Sequence, residues 1–291
     1  GQGGPGNGAP FTGIVAFGDS LTDTGRMFDL TEGCYPDPEF YYDGRFSNGP
    51  IWLDYLAHEM GIEPESVANY AVGGATTGND NSNDYFDSCL DDEYPGLQDQ
   101  LATFEADLNG KKADKRALYV VFAGGNDFYD FDPLQTLETI SAGVENTVFA
   151  VQRLRDAGAR RIMVVNLPDL GLTPFGNGPQ TAGFLSWLSA VYNESLDSAL
   201  DGLAAAGVET VRMDASGVLQ EAVSNPEDFG FSNVVDGYLP TGLIGGGDPS
   251  KFLFWDPFHP TTQGHLLLAE EAMEVLREEF RHVWGTPRGN R

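Results

Sequence analysis

The chain has 291 residues, of which 41% are hydrophobic and 37 are glycine, and its 44 acidic and 16 basic side chains give a net charge of −28. This length and composition predict a folded protein with a substantial core. The acidic excess excludes nucleic acid and anionic membrane surfaces from the expected partners, because phosphate binding depends on Lys and Arg to neutralise charge.

The two ends of the chain differ in composition from the rest. Residues 1–10 are rich in Gly and Pro and predict a flexible tail, and residues 286–291 predict a second tail. Residues 11–285 contain neither an internal repeat nor a linker and are expected to form a single domain. No apolar run approaches the roughly 20 residues that cross a bilayer, and no basic and apolar leader follows Gly1. We therefore expect a processed, secreted, monomeric protein without stable membrane insertion.

Five apolar runs rich in Val, Ile and Leu predict strands. They cover residues 14–17, 67–72, 118–123, 162–167 and 208–213. Helical patterns cover residues 51–60, 97–108, 134–157, 184–206 and 266–280. Nearly continuous apolar strands that alternate with helices indicate a parallel sheet covered on both faces. The predicted fold class is therefore α/β, as a three-layer α/β/α sandwich around a five-stranded, flavodoxin-like parallel sheet.

Ser20 comes directly after the first predicted strand. The carboxyl ends of the strands in such a sheet form the ligand crevice, so this position makes Ser20 a candidate nucleophile. A serine hydroxyl becomes an effective nucleophile only when a base takes its proton and donors hold the oxyanion that it creates. The rest of the chain must therefore supply a base, an orienting acid and hydrogen-bond donors.

Glycine-rich turns follow the second and third predicted strands. The first contains Gly73 and Gly74, and the second contains Gly124 and Gly125 followed by Asn126. Glycine lets the backbone approach a ligand closely and leaves an N–H group that points into the crevice, and the Asn126 amide is a further donor. Each turn alone is typical of an ordinary loop or helix cap. Their positions at the ends of successive strands favour a binding role.

The base is expected to be one of the four histidines. His58 and His282 stand in helical patterns, where a surface or partly packed histidine is ordinary, and the zinc-like fragment at His58 lacks a second histidine. His259 follows Asp256 by three residues in a turn, a spacing that lets the carboxylate orient the imidazole. His265 is the rival base, although packing or capping at the start of the last helix is its more ordinary role.

Four short motifs occur in order along the chain. They are Gly18-Asp19-Ser20-Leu21, Asn69 with Gly74, Gly124-Gly125-Asn126-Asp127, and Asp256-Pro257-Phe258-His259. With these motifs the chain resembles GDSL-type esterases and lipases of the SGNH hydrolase superfamily from about residue 12 to 280. Residues 45–53 resemble the branch of plant GDSL esterases and bacterial secreted lipases, although Arg26 stands where that branch frequently has asparagine. The Gly-x-Ser-x-Gly elbow of ordinary α/β-hydrolases is absent from the sequence.

The resemblance implies a role for each candidate site residue. Ser20 would be the nucleophile, His259 the base and then the acid, and Asp256 the orienting carboxylate. The oxyanion hole would consist of the N–H groups of Ser20 and Gly74 and the side-chain amide of Asn126. The implied reaction is two-step ester hydrolysis through an acyl-enzyme, with neither a metal nor an organic cofactor.

The sequence constrains the substrate less than the reaction, because the aromatic residues near the motifs can have several ordinary roles. The aromatic residues are Tyr35, Phe40, Tyr41, Tyr42, Phe46, Phe128, Tyr129, Phe131, Phe252, Phe254 and Trp255. They either stack on a sugar ring, line an acyl pocket or serve only in packing. The acidic charge and the lack of a long apolar lid favour small-molecule or carbohydrate esters with short acyl groups, such as acetyl. The alternatives are a secreted lipase or phospholipase for longer chains and, more remotely, a non-catalytic glycan-binding protein.

Two features are typical of secreted proteins, namely a pair of cysteines and a glycosylation sequon. Cys34 and Cys89 are the two cysteines, both in loop-like stretches, so a single intrachain disulfide is expected if their Cα atoms lie within about 7 Å; two free thiols are the alternative. Asn193 begins a glycosylation sequon, but it falls inside a helical pattern.

Overall fold

Within residues 10–85, 93–129 and 132–281, which this computed structural model describes, five parallel strands form one central sheet. The strands are β1 (Ile14–Gly18), β2 (Val67–Asn69), β3 (Leu118–Phe122), β4 (Arg161–Val165) and β5 (Val211–Met213). Their order across the sheet is β2-β1-β3-β4-β5. This is the order of a flavodoxin-like sheet, so the predicted fold class is confirmed.

Helices cover both faces of the sheet. In chain order they are α1 (Arg26–Leu30), α2 (Trp52–Glu59), α3 (Leu97–Asp107), α4 (Thr136–Ala157), α5 (Ala182–Ala205), α6 (Ala215–Ser224), α7 (Leu243–Gly245) and α8 (Thr262–Glu279). Helices α3, α4 and α5 pack on one face, and α2, α6 and α8 pack on the other. The five predicted helices are therefore observed with boundaries shifted by at most four residues, whereas α1, α6 and α7 have no counterpart in the prediction.

The central strand β3 explains why the predicted strands have continuous apolar runs. All five of its residues are buried. Leu118 and Val120 join the apolar cluster under α2 and α8, whereas Tyr119 and Val121 join the cluster under α3, α4 and α5. Because both faces of the strand are covered, side chains of both orientations must be apolar.

A second, two-stranded parallel sheet lies outside the prediction. It pairs β6 (Asn233–Gly237) with β7 (Phe252–Phe254). Beyond β7, the Trp255 N–H donates to the His259 carbonyl, and the Thr261 N–H returns to the Leu253 carbonyl. The Thr261 hydroxyl then accepts from the Gly264 N–H and caps α8. These bonds fix the turn that contains the predicted base.

Several predictions concern residues outside the described ranges. These residues are the first nine of the N-terminal tail, the C-terminal tail, Cys89, Phe131 and His282. The disulfide prediction therefore stays a prediction. Asn193 lies in α5, where its amide donates to the Leu167 carbonyl and its Oδ1 accepts from the Leu167 N–H, so a sugar on this nitrogen would displace a structural hydrogen bond. Among the described residues, none of the helices has the length and apolar composition needed to cross a membrane.

Candidate active site

The turn that carries Ser20 begins at Gly18, the last residue of β1. Gly18 has φ +153°, and a Cβ there would collide with the Phe122 carbonyl of neighbouring β3, so glycine is required where the chain leaves the sheet. Buried Gln100 from α3 holds the same residue: its Oε1 accepts from the Gly18 N–H at 2.9 Å, and its Nε2 donates to the Gly18 carbonyl at 2.8 Å. Ser20 then lies, almost buried, at the carboxyl end of β1.

Asp23 ties the Ser20 turn to the glycine turn after β2. Its carboxylate accepts from the Gly73 N–H at 2.8 Å and from three N–H groups at the start of α1. The Asn69 amide adds a bond of 2.7 Å to the Thr22 carbonyl. Gly74 therefore has a fixed position relative to Ser20. Its φ of +79° and the closeness of Asn81 and Asn83 leave no room for a Cβ.

Ser20, His259 and Asp256 form a continuous hydrogen-bonded chain. His259 Nε2 lies 2.8 Å from Ser20 Oγ, and His259 Nδ1 lies 2.6 Å from Asp256 Oδ2. With the ring proton on Nδ1, His259 donates to the carboxylate and accepts from the serine hydroxyl. This is the arrangement in which an imidazole can take the proton of a serine nucleophile.

The Asp256 carboxylate accepts hydrogen bonds from four donors. Its Oδ1 accepts from the N–H groups of Phe258 and His259, each at 2.8 Å, and its Oδ2 accepts from the Tyr41 hydroxyl at 2.7 Å as well as from the His259 ring. Burial alone would raise the pKa of this carboxyl, but His259 and these donors hold the pKa of Asp256 below its ordinary value. Asp256 is therefore a charged partner for an imidazolium.

The loop between α1 and α2 also supports the imidazole. Phe46 from this loop packs against the His259 ring with centroids 5.2 Å apart. Tyr41 is edge-on to Phe46 at 6.3 Å, and Tyr35 is edge-on to Phe46 at 5.4 Å. One apolar contact, from Phe46 to His259, and one hydrogen bond, from Tyr41 to Asp256, thus restrict these two side chains from the same loop.

The three predicted oxyanion donors line one cavity together with His259. Ser20, Gly74 and Asn126 all contribute to its wall. Across the described part of the chain, the backbone N–H groups of Ser20 and Gly74 have no acceptor. One N–H of the Asn126 amide donates to the Ala75 carbonyl, which leaves the other available. Ser82, which also lines the cavity, donates to Asn126 Oδ1 at 3.3 Å and so orients the amide.

Two buried acids flank this arrangement. Burial raises the pKa of Asp19 to about 7, against the opposing effects of the Leu21 N–H and of His259. Burial likewise raises the pKa of Asp127 to about 6, although the hydroxyl and N–H of Thr77 both donate to it. Both carboxyls are therefore neutral at mildly acidic pH.

The rival base His265 does not take part in the chain of hydrogen bonds. It is fully buried in the first turn of α8, and burial lowers its pKa to about 3, so the ring is neutral at ordinary pH. Within the described ranges, neither ring nitrogen has a hydrogen-bond partner. Its predicted packing role fits this position, whereas His58 is exposed on α2.

The cavity beside Ser20 has a volume of about 330 Å³. Apolar side chains form most of its wall, with Leu167, Leu170, Leu185, Phe128 and Phe175 among them. Its volume is at the small end of the range of about 300–1,000 Å³ typical of small-molecule sites. In the described ranges, no group of three or more His, Cys, Asp or Glu side chains is arranged to hold a metal ion.

The predicted aromatic residues divide between the cavity and ordinary packing. Those that line the cavity are Tyr35, Phe46, Phe128 and Tyr129. Those buried around β7 are Phe252, Phe254 and Trp255, and those exposed on the surface are Phe40 and Tyr42. Gln100, Asp23 and Phe175 also shape the site but lie outside every recognised motif. Gln100 has no local sequence signal, because its partner Gly18 is 82 positions away. Asp23 has the local pattern of an ordinary helix cap, and its bond to distant Gly73 cannot be read from that pattern.

Comparison with known proteins identifies relatives over most of the chain. Residues 14–272 match the family profile described as "GDSL-like Lipase/Acylhydrolase". A phosphatidylcholine-sterol acyltransferase of Aeromonas hydrophila is 27% identical over 94% of this chain and 92% of its own. An uncharacterized protein in the trpE-trpG intergenic region of Pseudomonas putida is 30% identical over 96% of this chain, which spans only 54% of that relative. A solved structure of a catalytic mutant of Axe2, an acetylxylan esterase from Geobacillus stearothermophilus, has a TM-score of 0.51 at 17% identity, covering 91% of this chain and 94% of its own. That likeness concerns the fold.

Proposed function

This chain belongs to the GDSL-like lipase/acylhydrolase family, and we propose that it hydrolyses carboxylic esters with Ser20 as nucleophile, His259 as general base and Asp256 as the orienting carboxylate. The observation that carries the proposal is the continuous hydrogen-bonded chain from Asp256 through His259 to Ser20 Oγ. The cavity that Ser20 lines also contains the proposed oxyanion donors and has a mostly apolar wall.

In the first step, Ser20 Oγ attacks the ester carbonyl while its proton passes to His259 Nε2. The carbonyl oxygen gains the negative charge and accepts hydrogen bonds from the N–H groups of Ser20 and Gly74 and from the Asn126 amide. Collapse of this intermediate breaks the bond to the alcohol, which leaves with the proton from His259. The product is an acyl group on Ser20.

In the second step, His259 takes a proton from water as the water attacks the acyl carbonyl. The same three donors hold the second oxyanion. Its collapse releases the carboxylic acid and returns the proton to Ser20 Oγ. Asp256 stays ionised throughout and stabilises the imidazolium that forms in each step.

For the acyl group, our first candidate is a short chain such as acetyl, on a small-molecule or carbohydrate ester. The net charge of −28 supports soluble substrates over anionic lipid surfaces. The apolar cavity of about 330 Å³ favours the second candidate, a lipase or phospholipase for longer chains, because an acetyl group would leave most of this volume unfilled. Secretion and a monomeric state belong to the same proposal, as does the absence of a cofactor.

The triad is tested by two substitutions and one covalent probe. Ser20→Ala should abolish hydrolysis of p-nitrophenyl butyrate and labelling by a serine-reactive phosphonate while leaving circular dichroism unchanged. Asp256→Asn should retain a small remnant, with turnover reduced by about 10⁴-fold, because the carboxylate orients the ring and does not itself react. Full activity of Ser20→Ala would refute the triad, and a wild-type protein that neither hydrolyses esters nor reacts with the phosphonate would favour the glycan-binding alternative.

The acyl preference is tested by kcat/KM for p-nitrophenyl esters of two to sixteen carbons. A maximum at butyrate or shorter supports the first candidate. A maximum at octanoate or longer supports the lipase alternative.

A further inference from the structure

A second, smaller cavity lies behind the wall of the first. Its volume is about 50 Å³, and it lies between α6, α8 and β7. Its wall is almost wholly apolar, with Val218, Leu219 and Ala222 from α6 and Leu267 and Leu268 from α8. A cavity of this kind lacks the two to four polar partners that a buried water needs, so its chemistry suits hydrocarbon.

The two cavities share four wall residues. They are Leu21, Pro168, Thr173 and Phe258. Leu21 directly follows Ser20, and Phe258 directly precedes His259. The shared wall therefore begins one residue from the nucleophile and one residue from the base, where the acyl chain of an ester bound to Ser20 would run.

Phe258 is the part of this wall that has room to move. Its side chain is 40% exposed, and its ring contacts Phe175 with centroids 4.8 Å apart. Its backbone N–H is fixed separately by the bond to Asp256 Oδ1. A rotation about χ1 of Phe258 would therefore leave the hydrogen bonds of Asp256 in place. Thr173, by contrast, is buried and donates its hydroxyl to the Leu170 carbonyl.

We propose that the cavity behind Phe258 is a distal subsite for the end of a saturated acyl chain, and that the Phe258 side chain closes it. This inference rests on the proposed ester hydrolysis at Ser20 and specifies which residue limits the acyl length. With the ring in its present position, the chain ends in the first cavity, and removal of the ring joins the two spaces.

The size of the second cavity sets the expected effect. One water-sized group occupies about 10–15 Å³ on the same measure, so about 50 Å³ accepts roughly three to five methylene groups. Each methylene newly buried is worth about fourfold in kcat/KM. Phe258→Ala should therefore move the preferred chain length up by about three to five carbons.

The experiment measures kcat/KM for the p-nitrophenyl ester series with wild type, Phe258→Ala and Phe175→Ala. The ratio of the dodecanoate to the butyrate value is taken within each variant, because any damage to the triad cancels in it. Phe258→Ala should raise this ratio at least tenfold. Of the two cavities, Phe175 lines only the first. Phe175→Ala is therefore the matched control and should change the ratio much less.

A second substitution refills the distal subsite. Ala222 is buried in its wall, so Ala222→Leu in the Phe258→Ala background should return the ratio toward the wild-type value; Ala222→Val serves if the leucine variant does not fold. An unchanged ratio in Phe258→Ala, an equal rise in Phe175→Ala, or a rise that refilling does not reverse would each overturn the subsite. These outcomes require active enzyme, so they are distinct from failure of the proposed function, in which wild type itself hydrolyses no ester.

Discussion

The Tyr41 hydroxyl donates a hydrogen bond of 2.7 Å to Asp256 Oδ2, the same oxygen that the His259 ring contacts. The two residues are 215 positions apart, so the loop before α2 directly contacts the proposed orienting acid. This donor withdraws negative charge from the oxygen that faces the imidazole and also fixes the plane of the carboxylate.

Loss of this donor should alter both rate and pH dependence. We expect Tyr41→Phe to lower kcat about tenfold with little change in KM, because the Asp256 carboxylate loses the hydrogen bond that fixes its plane beside the imidazole, while no group that touches substrate is changed. The acid limb of the kcat/KM profile should move to higher pH, since a carboxylate with one donor fewer attracts the His259 proton more strongly. Exposed Tyr42 on the same loop provides the control, Tyr42→Phe, which should match wild type. An unshifted profile in Tyr41→Phe would mean that the phenol has a packing role alone.

Removal of the Asn126 amide tests the oxyanion hole. Asn126→Ala should lower kcat by about 10²–10³-fold, because the donor acts on charge that develops in the transition state. KM should change little. Ser82→Ala removes only the hydroxyl that orients the amide and should cost far less. Equal effects of the two substitutions would assign the loss to a disturbed loop and not to the oxyanion.

The hydrogen bonds between Gln100 and Gly18 should contribute to the free energy of unfolding. Gln100→Leu leaves the buried N–H of Gly18 without a partner, which costs about 1–3 kcal/mol, whereas the Gly18 carbonyl still accepts from the Val72 N–H. We expect the free energy of unfolding in urea to fall by about 1–3 kcal/mol. Exposed Gln152 on α4 provides the control, and Gln152→Leu should change the unfolding midpoint little. Coincident urea curves for wild type and Gln100→Leu would contradict the structural role.

His265 should control acid stability without affecting catalysis. Because burial lowers its pKa to about 3 while the unfolded residue titrates near its ordinary 6.5, the unfolded state takes up a proton first as pH falls. The free energy of unfolding should therefore decline through this group between pH 6.5 and 3, by about 3 kcal/mol at pH 4. His265→Leu should retain esterase activity and remove this part of the decline. The check compares urea unfolding of both proteins at pH 4 and 8; an inactive but folded variant would reinstate His265 as a catalytic candidate.

The central strands were predictable from the sequence, because a strand that is buried on both faces has a continuous run of apolar residues. Runs such as 118–123 have no solvent-facing side and therefore identify the central strands. The prediction extended the second strand to residue 72, whereas β2 ends at Asn69; the N–H groups of Tyr70 and Val72 nevertheless still donate to Ala16 and Gly18 of β1. Helix α6 buries only Ala215 and Ala222 along its ten residues, and β6 is mostly unburied, so neither has a clear apolar pattern; packing against neighbours that are distant in the chain stabilises them more than local propensity does.

The candidate site was predictable where several residues act within one turn. Asp256 and His259 have a readable spacing, and Ser20, Gly74 and Asn126 each follow a recognisable strand. Tyr41 and Phe175 have no such signal. Each reaches the site from a long loop, and whether an aromatic loop residue faces solvent or a cavity depends on the whole tertiary structure.

The hydrogen bond between Ser20 and His259 joins residues 239 positions apart. During synthesis at about 5–20 residues per second, Ser20 is therefore made about 10–50 s before His259. A nascent chain with β1 already folded would lack the proposed base, because the last turn before α8 has not yet been made. With Ser20 and His259 in their proposed roles, hydrolytic capacity would arise only when that turn reaches the sheet edge, and a product truncated before residue 256 would lack both the base and its acid.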